Sequence, residues 1–321
     1  MKKLALLLAA LSVASVSYAK EVMPEAAPVV EEAPVVEEVV EVKATPVLRV
    51  TSVGQELVVE NKSNANDRGY EDVGDAIHLK NKVGLALGDS WTFDLMARKT
   101  WSASIDDNEV LATGEKTGSG MKSKAHRIEL AATRHFENFS LGLRWRGEKN
   151  QDAIFLPVSY NYGMVSGWFD PAYYFVNESK GQDYFYLEAE PVVLSYGPVQ
   201  LAYYFEGYKW TGEGDGNAPT DTKSDYAHQA RLRGTVYSND AFSVGLEYRY
   251  QFAQDVEMVN GNKNVENNRH IGVLSGAYNV TENLTLAGYY QYEFNKYEQH
   301  EGTAMDDDYY GEFGLGWSYN F

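Results

Sequence analysis

The chain has 321 residues, a formal charge of −18, no cysteine, 28 glycines, and 24 tyrosines against 13 phenylalanines. The acidic balance argues against nucleic acid as a partner, because phosphate binding needs a basic footprint. Without cysteine there is no disulfide framework, so an exported fold of this composition must be held by its backbone hydrogen bonds.

Met1-Lys2-Lys3 is a basic head, Leu4 to Val16 an apolar run, and Ser17-Tyr18-Ala19 ends in small residues of the kind a signal peptidase reads. This order predicts a secretory signal over residues 1–19, cleaved after Ala19. The apolar run is shorter than the ~20 residues a spanning helix needs, which disfavours a membrane anchor. Residues 20–45 form an acidic Pro/Glu/Val-rich segment in which Pro-Val-Val-Glu-Glu occurs twice, from Pro28 and from Pro34. Repeated proline and like charge oppose packing, so a periplasmic tether is expected there. A short helix, a contact with the cell wall and entry into a lumen are its alternatives.

Residues 46–321 have one texture and read as a single domain. No later apolar run approaches the ~18 residues of a transmembrane helix. Alternation takes its place. From Phe242 to Phe252, Phe, Val, Leu, Tyr, Tyr and Phe hold every even position, and small, polar or charged residues hold the odd ones. Only a period of two separates these sets onto opposite faces. Aliphatics at the centre and aromatics at the ends match a bilayer with an aromatic girdle at each interface. The pattern recurs: Trp91, Phe93, Leu95 and Trp101 oppose Thr92, Asp94, Met96 and Arg98, and Phe139, Leu141, Leu143 and Trp145 oppose Ser140, Gly142, Arg144 and Arg146. Leu284, Leu286, Tyr290, Tyr292 and Phe294 likewise oppose Thr285, Gln291, Glu293 and Asn295.

Connections alternate as well. Tight links fall at Gly88-Asp89, Glu137-Asn138, Gly163 to Gly167, Tyr196-Gly197, Ser238-Asn239-Asp240 and Val280 to Asn283. Longer polar stretches, at 61–72, 102–121, 211–224, 255–266 and 299–306, lie between them, with shorter outer links at 147–152 and 177–182. Short periplasmic turns and longer outer loops are the rule for membrane barrels. The predicted fold is therefore all-β: a transmembrane antiparallel up-and-down β-barrel of about 14 strands, multi-pass in a bacterial outer membrane. The stretch from Ser102 to Met121 reads as a solvent-exposed loop, with an inward-folded constriction as its alternative.

The final strand places Tyr309, Gly311, Phe313, Leu315, Trp317, Tyr319 and the terminal Phe321 on one face. Trp317, Tyr319 and Phe321 are the expected signal to the barrel assembly machinery. The signal peptide, the Pro-Val-Val-Glu-Glu tether and the tyrosine-rich barrel ending Trp317-Ser318-Tyr319-Asn320-Phe321 together resemble the fusobacterial major outer-membrane porins. That resemblance implies passive diffusion of small hydrophilic solutes, a homotrimer among the assemblies to test, and an adhesive role for the surface loops.

Charges on the inward phase point the same way. Arg127, Arg144, Arg146, Glu188, Glu190, Arg231, Arg233, Glu247, Arg249, Glu293 and Glu312 are the expected pore-lining residues, since charge facing lipid is costly at mid-membrane. Two arrangements suit them: basic and acidic walls that set up a transverse field, or a mesh of ion pairs that stabilises the barrel. The acidic balance favours a weak cation preference.

Catalysis is not expected. The six histidines, His78, His126, His135, His228, His270 and His300, lie in no H-E-x-x-H context, and no G-x-S-x-G elbow occurs. The acidic Asp306-Asp307-Asp308 lacks calcium-loop spacing, so neither metal nor cofactor is expected. The rival function is an outer-membrane adhesin or structural barrel whose loops bind partners.

Overall fold

In a computed structural model, the described residues are 47–64, 76–102, 121–177, 181–211, 222–259, 261, 266–298 and 308–321. The signal over 1–19, the tether over 20–45 and the interior of the 102–121 loop lie outside them. Among the described residues every regular element is a strand: β1 (Leu48–Asn64), β2 (Ile77–Leu87), β3 (Trp91–Ser102), β4 (Lys122–His135), β5 (Phe139–Glu148), β6 (Gln151–Phe155), β7 (Val158–Tyr162), β8 (Val165–Val176), β9 (Tyr184–Tyr196), β10 (Val199–Trp210), β11 (Thr222–Ser238), β12 (Phe242–Met258), β13 (Glu266–Asn279), β14 (Leu284–Glu298) and β15 (Asp308–Asn320).

Apart from β6 and β7, each strand pairs antiparallel with its neighbours in sequence, and β1 pairs with β15 to close the ring. β6 and β7 both lie between β5 and β8 and are collinear halves of one stave, so fifteen segments make a fourteen-strand barrel. The break falls at Leu156-Pro157, because proline brings no N–H to the ladder. The groups left over are still used: Pro157 O accepts from Gly142 N at 2.8 Å, and Leu156 N donates to Pro171 O at 2.9 Å.

The turns at one end are tight. β9 and β10 are joined by Gly197-Pro198 alone, with Gly197 at φ +56°. A positive φ followed by the negative φ that proline imposes is the type II′ order, whose twist suits a hairpin. Gly163, at φ +75°, plays the same part between β7 and β8. The expected link from Gly163 to Gly167 is thus shorter than predicted, and Gly167 belongs to β8. At the other end several strands outrun the predicted loops: β11 begins at Thr222 and β12 continues to Met258, paired with each other. Seventeen residues in β1, β11 and β12 cover about 43 Å of height at a ~40° tilt, beyond a ~30 Å hydrocarbon core. Eleven residues in β2 cover only about 28 Å on the same basis.

The two faces differ as a lipid-embedded sheet requires. Outward leucines form a waist: Leu57, Leu95, Leu130, Leu143, Leu246, Leu274 and Leu315 are 41–54% exposed. In water each would forgo about 2 kcal/mol of burial. A bilayer removes that cost, and this inside-out distribution is the mark of a membrane barrel. Toward the turns lie Trp91, Phe139, Tyr196, Phe242 and Trp317, and toward the other rim Phe175, Phe185, Phe252 and Tyr292, also exposed or half-exposed. Arg134 faces outward beside the turns, with its guanidinium 5.8 Å from the Trp91 ring and 5.0 Å from the Phe136 ring. A cation among aromatics at that depth belongs to the interface.

Candidate functional site

The opposite face of the sheet is polar, and its side chains meet over intervening strands. Arg144 on β5 bonds Asp170 on β8, and Arg231 on β11 bonds Glu190 on β9 at 3.0 Å. Such reach across a strand is possible only on the concave side of a closed sheet, where side chains converge. All the charged residues expected on the inward phase share this face by register.

They gather in separate groups. On β3 to β8, Glu129 Oε1 accepts from Arg146 Nε at 2.7 Å and lies 3.7 Å from Arg127 Nη1, while Glu129 Oε2 lies 3.9 Å from Arg144 Nε. Arg127 also bonds Glu148, which lies 3.5 Å from Arg98. The fully buried Phe155 ring sits under two of these cations, 4.1 Å from the Arg144 guanidinium and 4.6 Å from that of Arg146. Two guanidiniums against one ring are tolerable because Asp170 neutralises Arg144 and Glu129 neutralises Arg146.

On β9 to β12 the hub is Glu190, 2% exposed. It accepts from Arg231 Nη1 at 3.0 Å and from Arg233 through Nη1 at 3.0 Å and Nη2 at 2.7 Å. Arg231 lies 3.4 Å over the Tyr204 ring. Arg233 reaches on to Gln200 at 2.8 Å, and Arg249 holds Glu247 at 2.9 Å and Gln291 at 3.3 Å. Glu293 pairs with Arg269 at 3.2 Å, a partner not singled out from the sequence. Glu56, on β1, accepts from Lys80 at 3.1 Å and Lys82 at 2.8 Å.

Two expected residues stand outside these pairs. Glu188 accepts from the hydroxyls of Tyr186 at 2.8 Å and Tyr204 at 2.9 Å. Glu312 accepts from Tyr289 and from Tyr310, the latter at 2.8 Å. Among the described residues neither carboxylate has a cationic partner. The pairing is therefore that of a mesh: each arginine is bonded within its own stretch of wall, not set opposite an acidic wall.

Glu129 pairs on the inward face with Arg127, as its sequence phase predicts; Glu148, Asp170 and the inward tyrosines are the functional candidates that the sequence pattern did not single out. Their signal was parity. Tyr184, Tyr186, Glu188 and Glu190 alternate in one phase, as do Tyr204, Glu206, Tyr208 and Trp210. Outward aromatics in strands such as 242–252 obscured the aromatics on the opposite phase. Trp317 and Tyr319 do face outward: Trp317 Nε1 donates to Gln55 at 3.3 Å across the closing seam, and the Tyr319 and Phe321 rings are 5.0 Å apart.

Fold and faces together define a class, the closed antiparallel barrel of the transmembrane type. No protein-family model matches the chain, and no curated protein matches it. Among solved structures, the anion-selective porin from Comamonas acidovorans is similar at 14% identity over 85% of this chain and 100% of that one, with a TM-score of 0.41. OccD3 (OpdP) of Pseudomonas aeruginosa is similar at 10% identity over 87% of this chain and 93% of its own, with a TM-score of 0.47. OmpT, an outer membrane protein of Vibrio cholerae, is similar at 11% identity over 85% and 98%, with a TM-score of 0.44. No residue role is carried over from any of them.

Proposed function

We propose that the chain is an outer-membrane porin, a passive diffusion channel for ions and small hydrophilic solutes through a charged aqueous lumen. The observation that carries the reading is that the fourteen-strand ring has its ion pairs running along the wall. Strands ~4.8 Å apart at a ~40° tilt give a ring about 28 Å across for fourteen strands and about 16 Å for eight. Side chains just fill the smaller ring, so about 12 Å of width is left for water in the larger. Arg127, Arg144, Arg146, Glu188, Glu190, Arg231, Arg233, Glu247, Arg249, Glu293 and Glu312 line that path. With the arginines paired, the tyrosine-held acids give the path a weak cation preference.

The same reading assigns residues 1–19 to export, residues 20–45 to a periplasmic tether, and Trp317, Tyr319 and Phe321 to recognition by the assembly machinery. Outer-membrane lipid is the partner of the leucine waist, and a homotrimer is the assembly to test. The test of function is single-channel recording of the refolded full chain in a planar bilayer. Stable open steps are expected in potassium chloride, with a reversal potential in a salt gradient that favours the cation. A folded barrel that stays silent overturns the reading.

A further inference from the structure

The inner wall of β8 to β10 carries an aromatic array unlike the rest of that face. Tyr184 and Tyr174 stack at 4.5 Å, Tyr186 and Tyr208 lie 4.9 Å apart, and Tyr208 and Trp210 stack at 5.8 Å. Tyr184 closes the group at 6.0 Å from Tyr208 and 5.8 Å from Trp210. Phe155 and Tyr174 form a buried floor, while Tyr184, Tyr186, Tyr208 and Trp210 keep part of their surface open. The array sits at the end of the barrel opposite the Gly197-Pro198 turn, on the side of the longer loops.

Below these rings two carboxylates meet. Glu188 and Glu206 are register partners across β9 and β10. Tyr186 Oη donates to Glu188 at 2.8 Å and also lies 3.3 Å from Glu206; Tyr204 Oη spans the same two acids at 2.9 and 3.2 Å; Tyr208 Oη donates to Glu206 at 2.8 Å. Each hydroxyl has one proton, so two of the three are shared between acids. Among the described residues neither carboxylate has a lysine, arginine or histidine in ion-pair range. The arginines of the adjoining groups are bonded elsewhere: Arg144 to Asp170, and Arg231, which lies over the Tyr204 ring, to Glu190. Among the described residues the arginine-bearing clusters of this face hold carboxylates and cations together, and Glu312 is held by two tyrosines, whereas this site joins two carboxylates, three hydroxyl donors and partly open aromatic rings.

The geometry points to a subsite for organic cations, meaning a primary or quaternary ammonium on a flat or alkyl body, at the loop-side mouth of the lumen. The ammonium takes the field of Glu188 and Glu206, and the body lies against Tyr184, Tyr208 and Trp210, where the negative face of each ring attracts charge. An inorganic cation uses the acids alone, and a neutral sugar uses the rings alone. Only an organic cation satisfies both. This deepens the channel reading and rests on it for access to the mouth.

The probe is 2-phenylethylammonium, with 2-phenylethanol as its neutral counterpart and maltose as the sugar control, applied to the refolded full chain. Binding is read in detergent by calorimetry and in the bilayer by concentration-dependent current block, each variant scored against its own sodium chloride conductance. The expected result is block by the ammonium with little by the alcohol. Tyr208→Leu, Trp210→Leu and the Glu188→Gln/Glu206→Gln pair should each weaken binding by about tenfold, and Tyr208→Phe, which keeps the ring, by less. Equal binding of ammonium and alcohol, preference for maltose, or a conducting barrel that shows neither binding nor block would overturn the subsite. A barrel that binds the probe in detergent yet stays silent in sodium chloride would overturn the channel reading and leave the subsite standing.

Discussion

Replacing Glu190 with glutamine tests whether the ion-pair mesh stabilises the barrel. Glu190 accepts three charge-assisted bonds from two guanidiniums and is 2% exposed. Glutamine keeps one acceptor oxygen, which retains at best the two bonds at Oε1. Its amide nitrogen then faces Arg233 Nη2, donor against donor, in place of the 2.7 Å bond. One charge-assisted bond is worth about 2 kcal/mol, and leaving two arginines without their counter-charge brings the loss into the 3–5 kcal/mol range of broken buried pairs. Solvent in the lumen lowers this, so a loss of about 3 kcal/mol is expected. The assay is reversible urea unfolding of the refolded protein in lipid vesicles, with Glu312→Gln as the comparison. Among the described residues Glu312 accepts from tyrosine hydroxyls alone, so its substitution should cost about 1 kcal/mol. Equal losses for the two variants, or less than about 1 kcal/mol for Glu190→Gln, would refute the idea that paired charge on this wall carries stability.

Gly316→Ala should hinder ring closure, because a Cβ there would stand 2.6 Å from the Gln55 carbonyl oxygen across the β1–β15 seam. A loss of about 2 kcal/mol is expected, seen as a larger unfolded band on unheated gels. Gly197→Ala meets nothing within 4 Å and acts through its φ of +56° alone. It should cost about 1–2 kcal/mol in urea unfolding, with conductance unchanged. Leu246→Arg, at the waist, should cost about 2–4 kcal/mol in vesicles, while Leu48→Arg, beside the turns, should cost at most about 1 kcal/mol. Equal costs would refute the placement of the waist at the bilayer centre.

What the sequence made legible was whatever depends on parity. The alternation from Phe242 to Phe252 predicts β12 with Leu246 outward and Glu247 and Arg249 inward, and the register agrees. Turns with a glycine requirement, such as Gly88 and Gly197, were legible because positive φ selects the residue. Strand ends were not. Beyond the bilayer no apolar face marks a strand, and polar residues such as Thr222 and Glu257 pair as well as they would loop. Ion partners were not legible either. Arg144 meets Asp170 because β5 and β8 flank one stave, a relation fixed by register across a third strand and absent from either segment alone.

The pairing pattern bears on selectivity in a way that net charge does not. A bonded arginine–carboxylate pair presents a dipole to the lumen, and a dipole field falls off faster with distance than that of a lone charge. In the channel proposed above, with about 12 Å of free width, a solute on the axis would lie within one ~8 Å Debye length of the wall, so unpaired charges would reach it and balanced pairs would contribute little. Glu188 and Glu206 sit on β9 and β10, and Glu312 sits on β15, nearly across the ring in the strand order. The tyrosine-held acids would therefore act from two sides, against paired groups that each carry one cation in excess: four arginines to three acids on β3 to β8, three to two on β9 to β12, and two lysines to one acid on β1 and β2. Under the porin reading proposed above, a cation preference would then rest on the acids held by tyrosine, because the arginines share their carboxylates with neighbouring strands.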